Sequence, residues 1–442
     1  MARDQQLIRG VRTRAVHAGE APDASTGASA PNIVMSSTFV VDEPYGFSAV
    51  DRDPDSSYVY SRWGNPSVRQ LEEKLASLEE AERCICFASG MAATTALLFS
   101  LLEPGDQLVI SDTNYPGTAE LARTSLPRLG VEVVTVDSSQ LTEVEAAVSS
   151  KTRLVWIETP ANPILRLSDI SAIADIAHRA GAELAVDSTF ASPIATRPLT
   201  LGADYVVHSL TKYIGGHGTS IGGLIVDGGN FDWEVHPDRQ PLLNQPDPSY
   251  HGAVWAEPIK PLGPIAYIIK ARVTLQRDLG AAVSPFNAFQ TIQGLETLPL
   301  RIREHCRNAD AVTEYLNRHD RVVKVIHPSL QGGEDRVRAD KYLKGGYGGL
   351  VGLELKGGLE AGREFINALE LFYHVANIGD ARSLAIHPAT TTHSQLTPEE
   401  QLATGVTDGY VRLSVGIEHI DDIIADLSQA LDKAAVPSKT AA

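Results

Sequence analysis

Cysteine is scarce, with only Cys84, Cys86 and Cys306 in a chain of 442 residues. So few thiols, so scattered, exclude a disulfide framework and a zinc site. Cys84 and Cys86 alternate within a strand-like run, which puts them on one face as small buried residues. Basic clusters are also missing. The formal net charge is -17 and no Lys/Arg block stands out, which excludes a nucleic-acid partner, because phosphate binding needs clustered cations. Met1 to Gly19 is polar and charged, and no apolar run approaches membrane-spanning length. No membrane segment is therefore expected, and a cytoplasmic location is the default. Internal repeats and low-complexity tracts are absent. So are two nucleotide signatures, G-x-G-x-x-G after a first strand and G-x-x-x-x-G-K-[ST], which leaves a dehydrogenase or P-loop NTPase without its phosphate loop.

What is present predicts an α/β protein of two or three packed units. Residues 1–65 are rich in Pro, Gly, Ser and Asp and read as an extended arm that lies on a neighbouring subunit or across the chain's own core. Residues 66–270 form the large domain. A helix is expected from Pro66, with Val68, Leu71, Leu75 and Leu78 on one stripe. Cys84 to Ala88 is a strand that turns at Ser89-Gly90 into an apolar helix. Further strands are expected at Gln107–Ser111, Val131–Val136, Leu154–Ile157, Leu184–Val186, Tyr205–Val207 and Leu224–Val226. Helices lie between them, one at Asp169–Ala180 capped by Ser168. Short apolar strands separated by helices indicate a mostly parallel sheet covered on both faces, with ligands at the strands' C-terminal ends. Asp227 to Pro264 reads as a long ordered excursion anchored by Trp233, Tyr250 and Trp255. Residues 271–442 hold a bridging helical region, interrupted at Ser284-Pro285 and Gln293-Gly294, and a smaller α/β domain. Its last residues, Ala435 to Ala442, read as a frayed tail.

The stretch from His208 to Gly218, which follows the strand at Tyr205–Val207, carries the chemistry. Lys212 lies there between hydroxyls and glycines. It reads either as an amine that forms a Schiff base with pyridoxal phosphate, with Ser209 and Thr211 on the phosphate, or as a surface lysine in a Gly-rich loop. The cofactor reading needs further parts. Asp187, one strand earlier, can face the pyridine nitrogen and keep it protonated. The helix opening at Ser89, Gly90 and Met91 offers free N–H groups to a phosphate. Arg62 would add a forked cation.

Taken together, Tyr60-Ser61-Arg62-Trp63-Gly64-Asn65-Pro66, Ala88-Ser89-Gly90-Met91-Ala92-Ala93, Glu158-Thr159-Pro160-Ala161-Asn162-Pro163, Val186-Asp187-Ser188-Thr189-Phe190, the lysine stretch and Val411-Arg412-Leu413-Ser414 resemble the Cys/Met-metabolism family of pyridoxal-phosphate enzymes. The resemblance spans nearly the whole chain in the family's own order. It implies the fold-type I architecture, a small amino-acid substrate, and a homotetramer built from active dimers. It also implies that Tyr60 and Arg62 reach the phosphate of the neighbouring subunit. Tyr115 would stack on the ring and act as acid or base, Asn162 would contact the ring hydroxyl, and Thr189 would lie close to the cofactor. Ser383 and Arg412 would hold the substrate carboxylate. Ser284 to Phe289, Gln293 to Leu298 and Asn377 to Leu384 look most like the O-acetylhomoserine sulfhydrylases of that family. That likeness implies γ-replacement by sulfide or a thiol. A γ-lyase acting on methionine, cystathionine or a canavanine-like amino acid is the alternative. Pro116 beside Tyr115, and Trp63-Gly64 after Arg62, depart from the family's usual residues and flank the expected pocket.

Overall fold

The computed structural model describes residues 9–40, 58–233, 237–257, 266–394 and 397–434. The rest of the predicted arm, part of the excursion and the predicted tail at Ala435 to Ala442 lie outside them. The arm is not extended throughout. Its residues Val11–His17 form helix α1, which docks on the chain's own helix α2, Pro66–Glu79. Ala15 is fully buried there. Lys74, also fully buried, donates to the carbonyls of Ala15 at 3.0 Å and Val16 at 2.7 Å and pairs with Glu20 at 2.6 Å. One buried ammonium thus caps the end of α1 where carbonyls lack helical partners. Helix α2 forms where its stripe predicts: Asn65 accepts from Ser67 N, Pro66 opens the first turn, and Val68, Leu71, Leu75 and Leu78 face inward.

The first sheet has seven strands. They are β1 (Arg83–Phe87), β2 (Gln107–Ser111), β3 (Glu132–Val136), β4 (Thr152–Glu158), β5 (Glu183–Asp187), β6 (Tyr205–Ser209) and β7 (Gly223–Asp227), in the order β1-β7-β6-β5-β4-β2-β3. All neighbours pair in parallel except those of β7, which runs against β1 and β6. Alternate residues bury opposite faces. Leu154, Trp156, Ala185, Tyr205 and Val207 pack beneath helix α3, Gly90–Leu101, while Val155, Ile157, Leu184 and Val186 pack on helix α4, Ile170–Arg179. The cap of α4 is Asp169, which accepts from Ala172 N at 3.1 Å, and not the predicted Ser168. The Ser168 hydroxyl is bonded to Ser138 instead. Cys84 and Cys86 are buried in β1 as expected.

Helix α5, Pro285–Asn317, runs 33 residues from the large sheet to the second one. The predicted break at Ser284-Pro285 is its start, capped by Ser284. The predicted break at Gln293-Gly294 does not occur. Gly294 stays helical because the lysine loop crosses it closely: a Cβ there would stand 2.3 Å from the Gly215 carbonyl oxygen and 2.7 Å from that of Ile214. The second sheet, in the order β10-β11-β12-β9-β8, contains β8 (Val322–Ile326), β9 (Leu350–Leu355), β10 (Tyr373–His374), β11 (Leu384–Ile386) and β12 (Tyr410–Ser414). It packs on the far end of α5 and on helices α6 (Gly358–Ala368) and α7 (Ile420–Lys433). The excursion after β7 is held by Asp247, which accepts from Trp255 Nε1 at 2.8 Å and pairs with Lys270. Those partners and Ser249 hold its carboxyl far below the usual range, although burial opposes them.

Gly294→Ala tests which effect governs α5. Helix propensity alone favours alanine by about 1 kcal/mol, whereas forcing a methyl against a fixed carbonyl costs about 1–3 kcal/mol. The clash should win, and urea unfolding should show a lower midpoint for the variant.

Candidate active site

Strands β4, β5 and β6 are parallel; Glu158 is level with Asp187, and β6 runs two residues past Val207, the partner of Asp187, so Glu158, Asp187 and Ser209 come to one edge of the sheet. This is the edge where ligands bind in such sheets. The N-terminus of α3 is set against it. Ser89 caps that helix by accepting from Ala92 N at 3.0 Å. A Cβ on Gly90 would lie only 2.9 Å from Ser209 Cβ, so the close approach of helix and strand end requires glycine. Thr189 Oγ1 accepts from Ser209 N at 2.9 Å, and Thr211 Oγ1 accepts from Gly222 N at 3.3 Å. The start of α3, where backbone N–H groups lack helical partners, thus faces the end of β6.

Lys212 follows in the turn after β6. Its Nζ donates to Asn377 Oδ1 at 2.6 Å. Burial, and then the charge of Arg412, push this amine down to about 8. The turn is clasped from behind by Arg301 of α5, whose Nη1 donates to Tyr213 O at 2.8 Å and whose Nη2 donates to Gly294 O at 2.7 Å. Gly216, at φ +70°, makes room for that guanidinium, since a Cβ would sit 2.1 Å from Nη1. Asp187 accepts from Thr189 N at 3.0 Å and is pushed up by burial. Tyr115 is 47 % exposed, and its ring lies over Gly117, where a Cβ would stand 2.7 Å from ring Cε1.

The second sheet contributes the cation. Arg412, on β12, donates through Nη1 to Asn162 Oδ1 at 2.6 Å and through Nη2 to the Asn377 carbonyl at 3.4 Å. Its Nε is buried without a partner among the described residues, and burial lowers its pKa. The Tyr410 hydroxyl donates to Pro163 O at 2.6 Å, which fixes this sheet to the loop bearing Asn162.

Ser383, Tyr60 and Arg62 make other contacts within this chain. Ser383 is fully buried, and its hydroxyl donates to Glu418 at 2.9 Å and accepts from Gly416 N at 2.9 Å. That hydroxyl braces the turn after β12 and has no donor left for a carboxylate. The residue beside Lys212 and Arg412 is Asn377, six positions earlier in the same quoted segment. Only the packing of Gly379 on the Tyr213 backbone, where a Cβ would come within 2.6 Å, brings it there. Tyr60 and Arg62, expected to serve a neighbouring subunit, contact each other and the excursion side in this chain: Arg62 donates to the Arg277 carbonyl and stacks 5.2 Å from the Tyr60 ring centroid.

A low-pKa amine, a carboxylate one strand away, the start of a helix and a buried guanidinium whose Nε has no partner among the described residues fit a phosphorylated aromatic aldehyde. A family profile described as Cys/Met metabolism PLP-dependent enzyme matches residues 12–432. The chain belongs to that family. It is 44 % identical to an O-acetyl-L-homoserine sulfhydrylase of Leptospira meyeri over 95 % of this chain and 96 % of that one. It is also 40 % identical to an L-methionine gamma-lyase of Fusobacterium nucleatum over 96 % of this chain and 98 % of that one. Among solved structures, a Campylobacter jejuni protein described as an O-acetylhomoserine (thiol)-lyase, with N'-pyridoxyl-lysine-5'-monophosphate in place, superposes with a TM-score of 0.89. It is 34 % identical and covers 96 % of this chain and 100 % of that one. The enzyme is therefore pyridoxal-phosphate dependent, with the fold-type I architecture.

The amine's lowered pKa makes a prediction about cofactor uptake. The reactive form of Lys212 is the neutral one, so uptake of pyridoxal phosphate by the cofactor-free protein should rise with pH around a midpoint of about 8. An ordinary lysine would still be climbing at pH 9 to 10. Arg412→Leu removes a cation that disfavours ammonium, so the midpoint should move to higher pH. The visible absorbance of the bound cofactor measures both.

Proposed function

We propose that the enzyme carries out γ-replacement on O-acetyl-L-homoserine with sulfide or a thiol, giving L-homocysteine or a thioether. The observation that carries this reading is the convergence of Lys212, Asn377 and Arg412 in a chain 44 % identical to an O-acetyl-L-homoserine sulfhydrylase. Pyridoxal phosphate, when bound, supplies a ring that takes up the electron pair left at Cα and then at Cβ of the amino acid. Arg412 would bind the substrate carboxylate through its planar fork, with Asn377 beside it. Lys212 moves the Cα proton, because an amine near 8 exists in both forms close to neutral pH. Asp187 would pair with the ring nitrogen, Thr189 would lie close to the ring, and Asn162 would meet the ring hydroxyl. Ser89, Gly90, Met91, Ser209 and Thr211 would hold the phosphate. Tyr115, exposed above Gly117, handles the proton on the departing side. The Cγ–O bond breaks to release acetate, and a C–S bond forms at the same carbon.

A homotetramer of active dimers fits this reading, with Tyr60 and Arg62 serving a neighbouring copy's phosphate. Its support is that neither residue's described contacts reach the Lys212 group of its own chain. We place the reaction in the cytoplasm, where three unpaired buried cysteines suit a reducing compartment. Among the described residues no helix is long and apolar enough to cross a membrane. The Fusobacterium relative favours one second reading, γ-elimination in which methionine and water give methanethiol, 2-oxobutanoate and ammonia.

The holoenzyme should form homocysteine and acetate in equal amounts from O-acetyl-L-homoserine plus sulfide. Lys212→Ala should lower that rate by about 1,000-fold. Faster release of 2-oxobutanoate from methionine alone than of homocysteine from the paired substrates would decide for the lyase.

A further inference from the structure

Glu158 has no part in the chemistry just described, yet it is buried beside Asp187 and bonded to two backbone N–H groups. It closes β4 and is 3 % exposed. Each oxygen takes one backbone N–H: Tyr115 N donates to Oε2 at 2.6 Å, and Asn162 N donates to Oε1 at 2.8 Å. These donors belong to two separate loops, one after β2 and one after β4. Asn162 passes the restraint on, because its side-chain oxygen accepts from Arg412 at 2.6 Å. The arrangement has a penalty built in, since Glu158 lies beside Asp187 in the strand register. Burial, and then Asp187, push the Glu158 carboxyl well up. A second acid next to the cofactor's own carboxylate is electrostatically unfavourable, and a buried polar group persists only where its hydrogen bonds are made. A carboxylate suits this place because it has two acceptor oxygens and no donor, whereas an amide has only one acceptor.

We infer that Glu158 is a positioning residue whose two oxygens fix the backbones of Tyr115 and Asn162 relative to each other. One side chain thereby places the proton-handling phenol and the carboxylate-binding guanidinium around the same amine. This rests on the reading of Tyr115 as the proton handler. An ordinary anchor of a buried turn would hold the loops together without acting through the phenol, and the two roles separate in a double-mutant cycle.

Glu158→Gln keeps the shape but turns an NH₂ toward one of the two backbone donors. A displacement of about 1 Å can lower a rate about 100-fold, so kcat of the holoenzyme on O-acetyl-L-homoserine and sulfide should fall about 10- to 100-fold. In a Tyr115→Phe background the same substitution should lower kcat by several-fold less than in the wild type, because the part acting through the phenol is already lost and only the part acting through Asn162 and Arg412 remains. The visible circular dichroism of the bound cofactor, which reports its asymmetric surroundings, should change with Glu158→Gln. If Glu158→Gln does not fold, Glu158→Asp serves: it keeps both oxygens, falls one methylene short, and should show the same non-additivity. An equal loss in both backgrounds, or an unchanged dichroism spectrum, overturns the inference while leaving Tyr115 in place. Wild-type kcat in Tyr115→Phe overturns the assignment of Tyr115 and this inference together.

Discussion

Four ionisable side chains, Glu158, Asp187, Lys212 and Arg412, meet at the ends of two sheets with little water around them. Burial pushes both carboxyls up and both cations down. A buried charge is tolerated only with partners that replace water, so each group is bound to the backbone or to an amide rather than left to a simple ion pair. The same scarcity of solvent gives the lysine an acidity suited to moving protons near neutral pH. Removing one of the four would therefore shift the others as well as delete a contact.

The fold supplies that dry corner by bringing independent units together. The parallel strands deliver Glu158, Asp187 and Ser209 to one edge. Helix α3 meets the end of β6 because Gly90 permits its approach. The second sheet carries Arg412 on β12 and is tied to the first through the Tyr410 hydroxyl. Helix α5 joins both, and its Arg301 holds the carbonyls just beyond Lys212. Gly216 and Gly294 serve that clasp, each at a point where a methyl group would strike a neighbour. The lysine is thus fixed from three directions before any substrate arrives, which lowers the entropy lost in reaching a reactive geometry.

Much of this was legible in the sequence because it rests on local pattern. The stripe of α2, the Ser89 cap and the buried strands follow from spacing and apolar runs, and the motif series marked the family. What escaped depends on contacts distant in sequence. The strand at β7 has the same apolar run as its parallel neighbours, and nothing local says that it runs against them. Gly294 resembles a helix breaker, yet its reason is a loop some eighty residues earlier. The segment at Asn377 to Leu384 was recognised as important, but Ser383 and Asn377 are equally polar there. Only the turn at Gly379, pressed on Tyr213, decides which of them faces the lysine. Residues 11–17 lack the length of a stable isolated helix and form one against the ready surface of α2.

Replacement and elimination share their early demands: a fixed carboxylate, a mobile proton at Cα, and a ring that accepts electrons. The residues meeting those demands lie deep, on strand ends and the clasped loop. At the open side Tyr115 is exposed and Pro116 begins a short helix, Pro116–Glu120, that continues as a wider turn from Leu121 to Ser125. Gly117 there packs so closely that a Cβ would lie 3.1 Å from Met91 Sδ, linking this rim to the first residues of α3. Trp63, the other departure from the family's usual residues, is held through its carbonyl by Arg272, which pairs with Glu72 at 2.7 Å. Sulfhydrylases and lyases stand at similar identity to this one chain, as expected where one fold hosts more than one outcome.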